Sequence, residues 1–318
     1  MKLNLTRRSF LKAWGLALPV FDSLLPGAQK GGAALRSRLG IITDEIAQEL
    51  EQALDFISGY NLNYCELREL WHKNIMDCTQ TDLDRARKFL QNHKLKVSDI
   101  ASPVLKWNLL EMPAREAARD TFGAHFTDAD TQRLLLRSFE LARFFGTGKV
   151  RIFSFWRVQD PQKAYPYVRD RLAKVAEVAA KHDIVLVLEN EHTCNVATGQ
   201  ELGRILRDVN SPNLRGNWDP GNAAMLGEVP YPDGYNAVKG LFAHVHIKDV
   251  KKDGQSGKLV WAPVGGGFID WKGQLKALRD DGYQGTLSLE THYRRADHNL
   301  AESTRESLQG LLKILDAV

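Results

Sequence analysis

The sequence predicts an α/β fold, a single-domain (β/α)8 TIM barrel, from three observations. Eight short apolar segments follow one another from Leu39 onward, and amphipathic stretches of helical length separate them. No Pro- or Gly-rich linker divides residues 31–318. Acidic and histidine side chains stand at the ends of the later segments. Eight parallel strands joined by crossover helices close into a barrel, and such barrels keep their chemistry at the carboxyl ends of the strands.

Each element is read from its periodicity. The strands are expected at Leu39–Ile42, Tyr64–Leu67, Val97–Ala101, Val150–Ser154, Ile184–Glu189, Leu214–Asp219, Phe242–Ile247 and Thr286–Glu290. The helices are expected at Ala47–Ser58, Asp82–Asn92, Gln132–Phe145, Tyr167–Lys181, Gly199–Val209, Trp271–Asp281 and Ala301–Leu315. The longest irregular stretch, residues 102–130, carries Trp107 and Phe126 and is expected to act as a lid, because long loops in compact domains often serve function.

The first thirty residues are set apart from the barrel. Thr6-Arg7-Arg8-Ser9-Phe10-Leu11-Lys12 is followed by a moderately apolar run and by the small residues Gly27 and Ala28. This resembles a twin-arginine export signal, which predicts a signal peptide over residues 1–30, a barrel domain over residues 31–318 and a periplasmic or otherwise exported protein. A basic amphipathic surface helix and an uncleaved leader are the alternatives.

Composition limits the partners. The chain of 318 residues has a formal charge of +4, and its first thirty residues hold five basic side chains and one acid, so the remainder is neutral. A nucleic-acid partner is therefore not expected. Three cysteines without CxxC spacing argue against a disulfide framework or a cysteine zinc site. No apolar run in the body is long enough for a membrane span, and a homo-oligomer stays open.

Alternation along the last four strands places polar side chains in the barrel interior. In the seventh segment His244, His246 and Lys248 share the face opposite Val245 and Ile247. Acidic residues end the fifth, sixth and eighth segments. The four strand-end residues that we expect to converge are Glu189, Asp219, His246 and Glu290.

Three buried carboxylates around one imidazole would repel one another unless a cation lies between them. A site of three carboxylates and one neutral imidazole favours Mn²⁺ or Mg²⁺, with Co²⁺, Fe²⁺ or Zn²⁺ possible. For each residue taken alone, an ordinary salt bridge is the competing interpretation. His244, one pleat deeper than His246, is expected to be structural.

Several motifs carry a family resemblance. They are Leu188-Glu189-Asn190, Trp218-Asp219-Pro220-Gly221, His244-Val245-His246-Ile247-Lys248-Asp249, the stretch from Pro263 to Asp270, and Leu289-Glu290. Together they resemble the xylose isomerase-like barrel superfamily of sugar phosphate isomerases and epimerases. The resemblance implies that Glu189, Asp219, His246 and Glu290 bind the metal. Two positions depart from the pattern: Asn222 replaces a histidine that epimerases commonly use for substrate, and Gly266 replaces an acid.

The expected reaction is isomerisation or epimerisation of a keto sugar or polyol derivative. A divalent cation would stabilise an enediolate, while Glu189 and Glu290 remove and return the proton. Expulsion of a leaving group from the same enolate would instead give a lyase or dehydratase acting on 3-keto-glycosides or inosose-like substrates. A non-catalytic sugar-binding barrel is the alternative of another class.

Seven residues are candidates for contact with the sugar. His192, Lys248 and His292 are possible acids for a leaving group, with hydrogen bonding around the metal site as the alternative for each. Trp156 and Arg157 follow strand four, where they can stack on or bind a sugar, although a surface role for the arginine is equally plausible. The remaining two are Glu66, which can hydrogen-bond a hydroxyl or pair with Arg68, and Asn222.

Overall fold

The computed structural model describes residues 30–114 and 123–318. Its central sheet has eight strands, which we number β1 to β8 in chain order. They are Leu39–Ile41, Tyr64–Leu67, Lys96–Ile100, Lys149–Ile152, Val185–Glu189, Leu214–Trp218, Phe242–Ile247 and Thr286–Leu289. Two strands have the expected bounds, and the others differ by one or two residues at their ends.

All seven ladders of this sheet are parallel, in the order β1-β8-β7-β6-β5-β4-β3-β2. The two outer strands, β1 and β2, meet through a single parallel bridge between Ile42 and Glu66. The sheet is thereby nearly closed into a barrel, and the predicted (β/α)8 fold is confirmed.

Helices cover the outside of the barrel. They are α1 (Lys30–Arg36), α2 (Leu50–Gly59), α3 (Gln80–His93), α4 (Thr131–Phe145), α5 (Pro161–Ala180), α6 (Gly199–Val209), α7 (Pro220–Met225), α8 (Tyr235–Val238), α9 (Trp271–Asp280) and α10 (Leu300–Asp316). Helix α5 begins six residues before the expected start. Asp160 caps the helix through Lys163 N, and Pro161 occupies the first turn, where proline is tolerated.

Two short hairpins interrupt the alternation and were not foreseen. One pairs Glu69–Leu70 with Lys73–Asn74, and the other, which we call the β7 hairpin, pairs Asp249–Lys252 with Leu259–Ala262. The Asp249 carboxylate accepts hydrogen bonds from the backbone N–H groups of Gly265, Gly267 and Ile269, which fixes the glycine-rich turn behind the hairpin. A Cβ on Gly267 would lie 2.1 Å from Asp249 Oδ1, so this position requires glycine.

The hydrophobic core lies between the strands and the helices. Large side chains such as Phe139, Trp218 and Trp271 are at most 1 % exposed there. Charged strand residues such as Glu66, Arg151 and His244 instead face one another in the barrel interior. Among the described residues, no helix has the length and apolarity needed to cross a membrane.

The first residues of the segment expected to form a lid are held by backbone hydrogen bonds to the loop after β4. Phe153 N and Phe155 N donate hydrogen bonds to the carbonyls of Val104 and Leu105, and Trp156 N donates to Trp107 O. Residues 115–122 lie outside the described part of the chain, and so do residues 1–29 of the predicted export signal, which stays a prediction.

Candidate active site

Four side chains converge at the carboxyl ends of β5 to β8. Glu189 ends β5, Asp219 follows β6, His246 lies in β7 and Glu290 follows β8. Each offers one ligand atom, and these atoms all lie within 4.8 Å of one another. The four side chains, which we call the ligand cluster, are no more than 2 % exposed. The structure therefore brings together the residues that the sequence pattern singled out.

His246 stands at the centre of the ligand cluster. Its Nδ1 lies 3.3 Å from Glu189 Oε1, 3.8 Å from Asp219 Oδ2 and 3.1 Å from Glu290 Oε2. Burial disfavours a charge on this imidazole, but Glu66, Glu189 and Glu290 outweigh burial and raise the pKa of His246 well above its usual value. In the metal-free chain, a proton on Nδ1 would act together with Lys248 and Arg151 against the repulsion among the three carboxylates.

The local structure of Asp219 leaves one of its oxygens for the ligand cluster. Asp219 caps helix α7, so its Oδ1 accepts a hydrogen bond from Asn222 N at 2.8 Å. The Asn190 side chain holds the Asp219 backbone through both its N–H and its carbonyl. Burial raises the pKa of Asp219 to about 6, with Glu189 and Glu290 adding to the increase and Lys248 opposing it.

The Lys248 ammonium lies beside the ligand cluster. Its Nζ lies 2.5 Å from Glu290 Oε2 and 3.0 Å from Asp219 Oδ2. Burial opposes its charge, but Asp219 and Glu290 hold the pKa of the ammonium well above its usual value. Lys248 therefore remains charged and belongs to the site.

Two buried oxygens of the ligand cluster accept no hydrogen bond. They are Glu189 Oε2 and Asp219 Oδ2. Glu189 Oε2 lies 3.4 Å from the Arg151 guanidinium, and Asp219 Oδ2 lies 3.0 Å from the Lys248 ammonium. An ionised buried oxygen without a hydrogen-bond donor is costly, and a metal ion is one of the few groups that compensates it. The donor set of three carboxylates and one imidazole fits a divalent cation such as Mn²⁺ or Mg²⁺.

A second group of ionised side chains, which we call the Arg68 cluster, stands behind Glu290. Arg68 donates to Asp44 at 2.7 Å, to Glu45 at 2.8 Å and to Glu290 Oε1 at 2.9 Å. Burial acts against ionised Glu290, yet Lys248 and the nearby histidines lower its pKa well below the usual value. Glu290 is thus held by Arg68 through one oxygen and presents the other to the ligand cluster.

Glu66 lies directly behind His246, and its contact with a sugar stays a prediction. The side chain is 0 % exposed, and both of its oxygens face His246 Nε2 at 3.2 Å. It also contacts His244 Nε2 at 3.1 Å, while Arg68 pairs elsewhere. Despite burial, His246 and His244 hold the pKa of Glu66 well below its usual value.

Three predicted substrate residues lie at the rim of the ligand cluster. Asn222 Nδ2 donates to Glu189 Oε1 at 3.2 Å, and Asn222 Oδ1 lies 2.8 Å from His192 Nδ1. On the opposite side, His292 Nε2 lies 3.3 Å from Glu290 Oε1 and has no hydrogen-bond partner. The Trp261 ring, on the β7 hairpin, contacts both imidazoles edge to face, with centroid distances of 5.8 Å to His192 and 5.1 Å to His292.

Arg157 is engaged away from the ligand cluster, and its expected role in binding sugar stays a prediction. Its guanidinium donates to the carbonyls of Cys194 and Asn195 and pairs with Glu201 at 2.9 Å. It therefore fixes the loop after β5, and the competing surface interpretation describes it better. Trp156 is 5 % exposed, and its contact with a sugar stays a prediction.

Sequence reasoning missed several charged residues of the interior. Strand alternation could have found them, because each stands on the inward face of an early strand. Arg151 in β4 stands between Val150 and Ile152, as Glu66 in β2 stands between Cys65 and Leu67, whereas Asp99 in β3 follows the polar Ser98 and carries a weaker signal. Asp44 and Glu45 carried no such signal, since they lie in a single 3₁₀ turn after β1.

The chain is a nearly closed parallel barrel with a carboxylate and histidine cluster at the carboxyl ends of its strands, which is where barrel enzymes have their active sites. The model of the xylose isomerase-like TIM barrel family matches residues 54–314. The chain belongs to this family. No curated protein matches it in sequence.

Solved structures share the fold at low identity. The probable 3-DHS dehydratase AsbF of Bacillus anthracis is 18% identical, with a TM-score of 0.64 over 84% of this chain and 97% of that one. D-psicose 3-epimerase of Clostridium cellulolyticum H10, solved with D-tagatose, is 13% identical, with a TM-score of 0.63 over 87% and 99%. A Mycobacterium smegmatis family member solved with magnesium is 17% identical, with a TM-score of 0.61 over 90% and 99%. Proteins similar to this chain thus include an epimerase and a probable dehydratase.

Proposed function

We propose that the protein is a divalent-metal-dependent isomerase or epimerase of a keto sugar or polyol derivative. The observation that carries the proposal is the ligand cluster itself, with three carboxylates and one imidazole in mutual reach. The two buried oxygens without a hydrogen bond add to it. A D-psicose 3-epimerase among the similar folds agrees with this chemistry.

Glu189, Asp219, His246 and Glu290 would hold the ion. When bound, the cation supplies electrostatic stabilisation of an enediolate. Glu189 and Glu290 come from strands on either side of β6 and β7, so they can face opposite sides of a bound substrate. One carboxylate removes the proton next to the carbonyl, and the other returns a proton to the opposite face or to the neighbouring carbon.

The rim residues favour a second candidate, a lyase or dehydratase acting on 3-keto-glycosides or inosose-like substrates. Such a reaction needs an acid near the leaving group. Burial works against a charge on His192, yet Glu191 raises its pKa, and Asn222 connects the ring to Glu189. The probable dehydratase among the similar folds agrees with this alternative.

The test uses the full chain loaded with Mn²⁺ in D₂O and a panel of ketohexoses and 3-keto-glycosides, read by NMR. Deuterium at a carbon next to the carbonyl, together with an isomer, supports the isomerase. An unsaturated product establishes the lyase. Glu290→Gln should lower turnover by about 10²- to 10⁴-fold, the range for loss of a general acid–base group. Glu201→Gln, which changes the acid paired with Arg157, is the control.

A chain that binds Mn²⁺ but gives neither exchange nor product with any member of the panel would support a non-catalytic sugar-binding barrel. A chain that binds no divalent cation would contradict the proposed function.

We also propose that the chain is exported by the twin-arginine route, because of the Arg7-Arg8 pair. Residues 1–30 fused to a folded reporter should direct it out of the cytoplasm, and replacing both arginines by lysine should retain it. Equal export of both fusions would contradict the proposal.

A further inference from the structure

His246 faces two different groups of side chains with its two ring nitrogens. Nδ1 points to Glu189, Asp219 and Glu290, as described above. Nε2 points the other way, 3.2 Å from both oxygens of Glu66. Since an ionised carboxylate only accepts hydrogen bonds, Nε2 must carry the proton in this contact. The lone pair of a neutral His246 is then on Nδ1, toward the ligand cluster.

Glu66 is itself fixed by a neighbouring imidazole. His244 Nε2 lies 3.1 Å from Glu66 Oε2, 3.4 Å from Asp99 Oδ1 and 3.1 Å from the Ser288 hydroxyl, which can accept as well as donate. Because two carboxylates face this nitrogen, His244 too carries its proton on Nε2. His244 Nδ1 lies 2.7 Å from Thr286 Oγ1, which Lys149 Nζ approaches at 2.5 Å. The lysine donates to the hydroxyl, so the hydroxyl can donate to His244 Nδ1.

We propose that Glu66 is a positioning residue that fixes the tautomer and orientation of His246, so that Nδ1 faces the metal. The proposal rests on the proposed function. Carboxylates that hold the far nitrogen of a ligating histidine strengthen metal binding in other proteins. Glu66, on β2, thereby acts across the barrel on a ligand that β7 supplies.

The first test measures Mn²⁺ binding to the full chain by electron paramagnetic resonance of the free ion. Glu66→Gln should weaken binding by about 10- to 100-fold. Two further variants separate contact from charge. Glu66→Asp keeps the charge but withdraws the carboxylate by one methylene, and it should also weaken binding. Asp99→Asn removes a buried charge that contacts His244 but not His246, and it should weaken binding less than Glu66→Gln does.

The second test detects the Nε2–H group directly. In ¹H–¹⁵N spectra, the signal assigned to His246 by its loss in His246→Gln should be present without metal. It should persist when Mg²⁺ is added, because the ion takes only the Nδ1 side. In Glu66→Asp the same proton should exchange faster with water.

Three results would overturn the proposal. They are an absent Nε2–H signal, a signal lost on adding Mg²⁺, and a chain in which Asp99→Asn weakens Mn²⁺ binding while Glu66→Asp does not. If the unchanged chain binds no Mn²⁺, the proposed function fails, and the metal-free spectrum still decides whether Glu66 holds His246. If Glu66→Gln does not fold, Mn²⁺ binding to Glu66→Asp and the spectrum of the unchanged chain decide whether Glu66 positions His246.

Discussion

The barrel interior contains two groups of buried carboxylates that differ in how their charge is compensated. In the Arg68 cluster, one guanidinium contacts Asp44, Glu45 and Glu290 at 2.9 Å or less. In the ligand cluster, three carboxylates surround His246, and two of their oxygens accept no hydrogen bond. The first group is completed by the chain itself, whereas the second has the donor set of a cation site. Glu290 belongs to both.

The largest change in stability should follow the removal of Arg68 from the Arg68 cluster. Arg68→Met leaves Asp44 buried without its cation and leaves Arg294 as the only arginine paired with Glu45, so the chain should lose about 3–5 kcal/mol of unfolding free energy. Urea unfolding of the metal-free chain measures this loss. A loss below about 1 kcal/mol would contradict the claim that Arg68 compensates the buried charges of this cluster.

In the ligand cluster, removing a charge should instead increase the free energy of unfolding. The pKa of Asp219 is raised to about 6, so its ionised form disfavours folding above that pH, and Asp219→Asn should stabilise the metal-free chain by about 1–3 kcal/mol at pH 8. The gain should fade as the pH falls from about 6 toward 4, because Asp219 then binds a proton in the folded state. Thermal unfolding at both pH values measures it, and destabilisation at pH 8 would contradict the assignment.

Protons should compete with the metal for the ligand cluster. Asp219 with a pKa of about 6 and His246 with a raised pKa both hold protons in the metal-free chain at mildly acidic pH. Mn²⁺ affinity should therefore increase by about tenfold per pH unit above pH 6, where His246 alone still holds a proton, and more steeply below pH 6, where Asp219 holds one as well. Calorimetry in buffers of different ionisation enthalpy should show proton release on binding. A pH-independent affinity would indicate a different set of ligands.

The smallest effect is expected outside both clusters. Arg157→Ala removes hydrogen bonds to two carbonyls and a half-buried pair with Glu201, so stability should fall by about 1 kcal/mol. Mn²⁺ affinity and the Michaelis constant should stay unchanged. A raised Michaelis constant would return Arg157 to the substrate site.

Much of the fold could be predicted because its signals are local. Alternation in Phe242–Ile247 and the apolar run before Glu189 each encode a strand without reference to the rest of the chain. Helix α5 begins six residues before the predicted start, because Asp160 caps it and Pro161 fits its first turn. The β7 hairpin was missed, although it places Trp261 against two rim histidines.

For the candidate site, the sequence by itself determined which residue types end strands β5 to β8, since strand alternation assigns each one a face. The tertiary structure decided which carboxylates are neutralised and which are not. That depends on contacts between distant strands: Arg68 reaches Glu290 across 222 positions, and Glu66 reaches His246 across 180. Such pairings depend on barrel closure, because a buried charge is stabilised by whichever partner the fold brings within reach.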